Sequence, residues 1–141
     1  MAMMMMMMMG ARGAVALVLL ASLAVCSQLL GAPRPVSLTD PEMLTAAQFA
    51  VAEYNKASND MFASKIVRFI SAQQQIVSGV KYILQVEMGR TQCRLGHVDD
   101  LQMCELHESP QKKICNFHVV SVPWEEEIYQ LPKSKCTQSK N

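Results

Sequence analysis

The chain has 141 residues, with 13 Lys plus Arg against 12 Asp plus Glu and a formal net charge of +1. That length suits one domain and is short for two. Near-neutrality excludes a function that rests on broad electrostatic attraction to nucleic acid or an anionic membrane. The hydrophobic share of 50% is swollen by the N-terminus, where Met3 to Met9 is an unbroken methionine run.

Arg12 precedes a charge-free stretch, Ala14 to Val25. A basic residue before a short apolar run is the layout of a secretory signal peptide, and the run falls short of the roughly 20 residues that a membrane span needs. Ala24 and Cys26 are small residues two apart, which places cleavage after Cys26 or one to two residues later. Residues 1–26 are therefore expected to be a signal peptide, and residues 27–141 a secreted, extracellular, soluble domain. Losing Arg12 leaves 12 basic and 12 acidic residues, a net charge of zero. Four cysteines remain in that domain: Cys93, Cys104, Cys115 and Cys136. An even number behind a signal peptide reads as two disulfides. Three connectivities are open, of which the sequential one, Cys93–Cys104 with Cys115–Cys136, closes short loops and is the simplest.

Gln28 to Leu38 carries Gly31, Pro33 and Pro35 and reads as an extended, mobile arm. Asp40-Pro41-Glu42 then has the chemistry of a helix start: a capping side chain, a proline at the first position and an acid at the positive end of the dipole. Apolar side chains recur at Met43, Ala47, Ala50, Val51 and Tyr54, which predicts an amphipathic helix from Met43 to Ser58. Ser58-Asn59-Asp60 ends it with turn formers. From Lys65 the period becomes two. Lys65 to Ala72 and Val80 to Met88 read as strands joined through Gln75-Ile76-Val77-Ser78-Gly79 as a β-hairpin. Gly89 to Pro110 is polar and irregular. Strands at Ile114 to Val122 and Glu127 to Lys135 flank a turn at Pro123-Trp124, and Pro132 assigns the last strand to an edge. One helix followed by antiparallel strands makes an α+β domain, with the sheet packed on the helix.

No catalytic set emerges from this pattern. A cysteine nucleophile needs a free thiol, and all four mature cysteines have disulfide partners to find. His97, His107 and His118 lie in or beside the cysteine-rich region, outside any catalytic motif. The spacing C-x10-C-x10-C-x20-C is unlike the close pairs of structural zinc sites, so neither metal nor cofactor is expected. Glu125, Glu126 and Glu127 are consecutive, which on a strand sends them to alternating faces and suits a solvated hairpin flank. What stands out is apolar character at turns: Leu29-Leu30-Gly31, Gln75 to Gly79, and Pro123-Trp124. Exposed apolar turns mark binding surfaces.

Taken together, these segments resemble the cystatins. Gln75-Ile76-Val77-Ser78-Gly79 matches their Gln-x-Val-x-Gly hairpin, Pro123-Trp124 their second hairpin, and Gly31 their N-terminal glycine. The four cysteines follow the secreted, two-disulfide (type 2) class, and Leu29 to Pro33 and Ala52-Glu53-Tyr54-Asn55 are similar to the branch of egg-white cystatin and cystatin C. The resemblance covers nearly all of residues 27–141. It implies a curved five-stranded antiparallel sheet around one long helix, with disulfides Cys93–Cys104 and Cys115–Cys136.

It also implies a function: reversible, competitive inhibition of papain-like cysteine proteases of the cathepsin L, S, H and B class, not an enzymatic activity. Leu29 and Leu30 would fill substrate subsites, and Gly31 would free the backbone where the arm enters the cleft. Gln75, Ile76, Val77, Ser78 and Gly79 would form the central edge of a wedge, and Pro123 and Trp124 would pack on its far side. Ser58, Asn59 and Asp60 resemble a second loop that inhibits legumain, with Asn59 presented. The three glutamates after Pro123-Trp124 depart from the family pattern and bear on the ranking of target proteases. A cystatin-fold protein that binds something else and inhibits little is the alternative. The long strands also suit exchange between two chains, giving a domain-swapped dimer beside the monomer.

Overall fold

A helix runs over Pro41–Ala57 (α1) in the computed structural model, which describes residues 31–109 and 111–139. The chain divides into a unit Met1–Ala32 and a unit Pro33–Asn141. Of the first, only Gly31 and Ala32 are described, so the expected signal peptide (residues 1–26) and Leu29 and Leu30 lie outside the described residues. The fold belongs to the second unit.

Helix α1 begins where the sequence predicts, with Pro41 in the first turn and Glu42 behind it, and Lys56 in the last turn suits the negative end of the dipole. One detail differs. Asp40 occupies the N-cap with extended backbone, but its side chain makes no cap hydrogen bond; its carbonyl accepts from the Leu44 N–H at 3.0 Å. The predicted stripe is the buried face. Met43, Ala47, Ala50 and Val51 are buried, Ala46 joins them, and Tyr54 is half-buried. Three alanines in that stripe let the helix axis approach the sheet closely.

Five antiparallel strands form one sheet in the order β1-β2-β3-β4-β5: Arg34–Pro35 (β1), Phe62–Val77 (β2), Gly79–Arg94 (β3), Lys112–Ser121 (β4) and Tyr129–Gln138 (β5). Three expectations need correction. The arm is not wholly mobile: Arg34 and Pro35 pair with Gln74 and Gln73, and the Val36 N–H donates to the Ala72 carbonyl at 3.0 Å. The first hairpin has almost no loop, because β2 runs on to Val77, directly opposite Gly79, with Ser78 alone between the strands. The segment Gln75-Ile76-Val77-Ser78-Gly79, expected to join the strands, is mostly strand itself, because on a sheet with one solvated face polar side chains do not end a strand. Finally, β3 extends to Arg94 into the segment expected to be irregular, so that segment shrinks to a loop holding a short 3-10 helix, Leu101–Met103.

Register shifts between Phe62 and Ser64, Ile66 and Arg68, and Phe69 and Ser71 bend β2. The bent sheet wraps the helix. Its inner face brings Tyr82, Leu84, Val86 and Met88 of β3 and Phe117 and Val119 of β4 against the Met43–Val51 stripe. Tyr82 also reaches Glu42, its hydroxyl donating to Oε2 at 3.5 Å; burial, then the carboxylates Glu42 and Asp40, push its pKa to about 12. The disulfides are sequential, Cys93–Cys104 and Cys115–Cys136. The first closes the loop after β3. The second joins the paired residues of β4 and the edge strand β5, where Pro132 sits as expected.

Candidate functional site

The register alone brings two turns to one end of the sheet. Strand β3 pairs with β4 up to Val80 opposite Ser121, one residue beyond Gly79 and one before Val122. The tip of the β2–β3 hairpin therefore lies beside the start of the β4–β5 connection. Gly79 fits that junction for two reasons. Its φ is +108°, a conformation that L side chains rarely adopt, and an added Cβ would run into the Ser121 carbonyl oxygen and sit 3.3 Å from Val122 Cγ2. The sequence marks this glycine by its place in a turn; its close approach to the second hairpin is a three-dimensional fact.

The second turn is closed by backbone. The Val122 N–H donates to the Ile128 carbonyl at 2.7 Å, and the Glu125 N–H to the Val122 carbonyl at 3.1 Å. Val122 is buried and anchors the turn, while Trp124 stands 69% exposed next to it. Ile76 is 60% exposed on the first tip, with Val77 beside it at 42%. These large apolar side chains, held out by a hydrogen-bonded sheet, make an exposed apolar edge of the kind that marks interaction surfaces. Ile128, 43% exposed, instead lines a groove with Phe49, Tyr54 and Asn59; its place before β5 reads only as strand in the sequence. Glu125, Glu126 and Glu127 were expected on a strand with alternating faces. They lie instead in the bend before β5, and all three are exposed, so they form an acidic flank to Trp124.

Strand β1 is antiparallel to β2, so Pro33, which precedes Arg34, points toward the Ile76 end of the sheet. Gly31 belongs to the unit Met1–Ala32. The remaining predicted residues lie elsewhere. Ser58, Asn59 and Asp60 follow α1 and precede β2, whose 16 residues separate them from the hairpin tip, roughly 50 Å along an extended strand. This loop is well anchored. The Asp60 N–H donates to Ser58 Oγ at 3.0 Å, and Asp60 Oδ1 accepts from the Phe62 N–H at 3.1 Å and from Arg90 Nη2 at 2.8 Å. Burial alone would raise the Asp60 pKa. Hydrogen bonds from Phe62 and Arg90 and the Arg90 charge outweigh it and hold the carboxyl below its usual 3.8. Asn59, between the anchored residues, is exposed.

The cystatin-domain family profile matches residues 31–124. The chain is 54% identical over 113 residues to a cystatin of Coturnix japonica, covering 78% of this chain and 96% of that one. It is 49% identical over 138 residues to a cystatin of Gallus gallus, covering 90% and 98%. Among solved structures it matches dimeric human cystatin F with a TM-score of 0.70 at 35% identity, covering 77% of this chain and 88% of that one. The chain belongs to the cystatin family. Cystatins are protease inhibitors, not enzymes; the relationship indicates inhibition of cysteine proteases in general, and type 2 relatives are generally extracellular. This cystatin thus presents at one end of its sheet an apolar edge, Ile76, Val77 and Trp124, flanked in the second turn by the exposed Glu125, Glu126 and Glu127.

Proposed function

We propose that this chain is a secreted, reversible and competitive inhibitor of papain-like cysteine proteases, of the cathepsin L, S, H and B class. The two hairpin tips enter the active-site cleft, and Leu29, Leu30 and Gly31 line the adjoining subsites. The observation that carries this reading is the alignment of exposed Ile76, Val77 and Trp124 at one end of a rigid sheet. The edge is already ordered, so little conformational entropy is lost on docking. Apolar burial then supplies most of the affinity, and inhibition depends only weakly on salt. Titration of the oxidised mature protein against papain tests the reading, with Gly79→Glu and Trp124→Ala beside it. Strong inhibition by the wild type, weakened in both variants, supports it. A folded, monomeric wild type with an intact arm that leaves papain active overturns it in favour of a cystatin-fold binding protein with another ligand.

A second reading is favoured by the Ser58-Asn59-Asp60 loop, in which an exposed Asn59 is held between two anchored neighbours. An asparagine presented on a fixed backbone suits an asparagine-specific protease, so the loop is assigned to legumain. Asn59→Lys should abolish legumain inhibition and spare that of papain. Parallel loss of both would remove the case for two sites.

A further inference from the structure

We propose that the outer face of strands β3, β4 and β5, the face turned away from the helix, binds a chain of sulfated polysaccharide. The inner residues Leu84, Val86, Phe117 and Val119 are buried in the core, so the alternate positions face outward. Those positions carry Lys81 on β3, His118 on β4, and Lys133 and Lys135 on β5. Register places His118 directly opposite Lys133, Asn116 opposite Lys135, and Lys81 opposite Val120, one same-face step from His118. Lys133 and Lys135 are exposed, and Lys81 and His118 are half-buried.

Among the described residues no carboxylate pairs with Lys81, Lys133 or Lys135. The one acid on this face of β3–β5, Glu87, is already engaged by Arg68 at 3.3 Å and Lys112 at 3.7 Å. The cations therefore crowd one another. His118 shows it: burial first, then the charges of Lys81 and Lys133, lower its pKa below the ordinary 6.5. A net charge of zero in residues 27–141 hides this segregation, with the bare cations on the outer sheet face and Glu125, Glu126 and Glu127 on the second turn.

The chemistry of the face selects among polyanions. It is an open sheet surface and not an enclosed pocket, which suits a chain rather than a single small anion. Its outward positions on β3–β5 hold no Phe, Tyr or Trp, so unpaired nucleic-acid bases find no stacking platform. Its aliphatic side chains, Ile83, Ile114 and Val120, are half-buried and offer nothing to insert into a membrane. Beside the cations stand the amides of Gln85 and Asn116, paired across β3 and β4 with Asn116 opposite Lys135, which can hydrogen-bond sugar hydroxyls and sulfate oxygens alike; Gln130 already donates to Glu125 at 3.3 Å. Lysines with amides and without aromatic rings match sulfated sugar.

The test is calorimetric titration of the mature protein with heparin, comparing Lys133→Glu with Lys56→Glu. Both substitutions change the charge by the same amount, but Lys56 lies on the helix. Circular dichroism and thermal midpoints verify the fold of each. Heparin should bind the wild type, with affinity falling on the order of tenfold or more between 50 and 200 mM salt. Lys133→Glu should weaken binding by about tenfold, and Lys56→Glu should leave it nearly unchanged. Binding should also tighten as pH falls and His118 protonates between Lys81 and Lys133, a gain that His118→Asn should remove. Three outcomes would overturn the proposal: no heparin binding at 50 mM salt, equal weakening by the two charge reversals, or equally tight binding of desulfated heparin or a single-stranded oligonucleotide.

Discussion

Two residues show how different physical demands can fix the turns at the two ends of β2. Gly79 is fixed by space and backbone angle, since any side chain there would strike Ser121. Asp60 is fixed by charge: it accepts from the Phe62 backbone and pairs with Arg90, whose guanidinium lies 4.7 Å over the Phe62 ring. The folded state lowers the Asp60 pKa, so this group stabilises the fold above its unfolded value of about 3.9, and the contribution is lost as pH falls through the lower folded value. Asp60→Asn should therefore lower the thermal midpoint at pH 6–7, by a gap that narrows as pH falls below about 3.9 and the wild-type carboxyl takes up its proton. Midpoints by circular dichroism across that range would check it; a gap independent of pH would assign the role of Asp60 to its hydrogen-bond geometry alone.

Elements were legible where their pattern was self-contained. The Met43-Ala47-Ala50-Val51 stripe marked α1 because a helix needs only one apolar face, and the β4 region alternated cleanly. Strand lengths were less legible. The strand predicted over Lys65 to Ala72 runs on to Val77 because the outer face of β2 is solvated, which nothing local shows, and β1 is only two residues long, too short for a period to register. The candidate site was legible as motifs, Gln75 to Gly79 and Pro123-Trp124, but their meeting at one end depends on β3–β4 register, which a chain read residue by residue does not display. The same limit hid the cation face, whose members come from three strands. Packing of α1 on the sheet centres on Phe117, fully buried and in an edge-on contact with Tyr54 at 6.4 Å. Phe117→Ala should cost about 3–5 kcal/mol, read from urea unfolding of the oxidised protein. A cost under about 1 kcal/mol would mean the helix closes over the gap.

Across the whole molecule, the proposed wedge and the proposed Asn59 site lie at opposite ends of β2, and this gives strand exchange a specific consequence. The β2–β3 hairpin turns within Ser78 and Gly79. If it opened, the two 16-residue strands would join into one long strand, and β3 would complete its pairings on a second chain. Gly79, at φ +108° in the closed turn, would relax to extended backbone. Nearly all sheet pairing and core burial would be recovered in such a dimer, so stability gives little warning of the exchange. The exposed tip at Ile76 and Val77 would no longer exist, whereas the Ser58-Asn59-Asp60 loop, anchored by Arg90 of β3 at the far end, would be rebuilt with Arg90 from the second chain. Dimer isolated by size exclusion after mild heating should thus fail to inhibit papain while still inhibiting legumain. Dimer as active on papain as monomer would show that the first hairpin stays closed and that association uses another surface. Loss of both activities would place the Asn59 loop within the structural change as well.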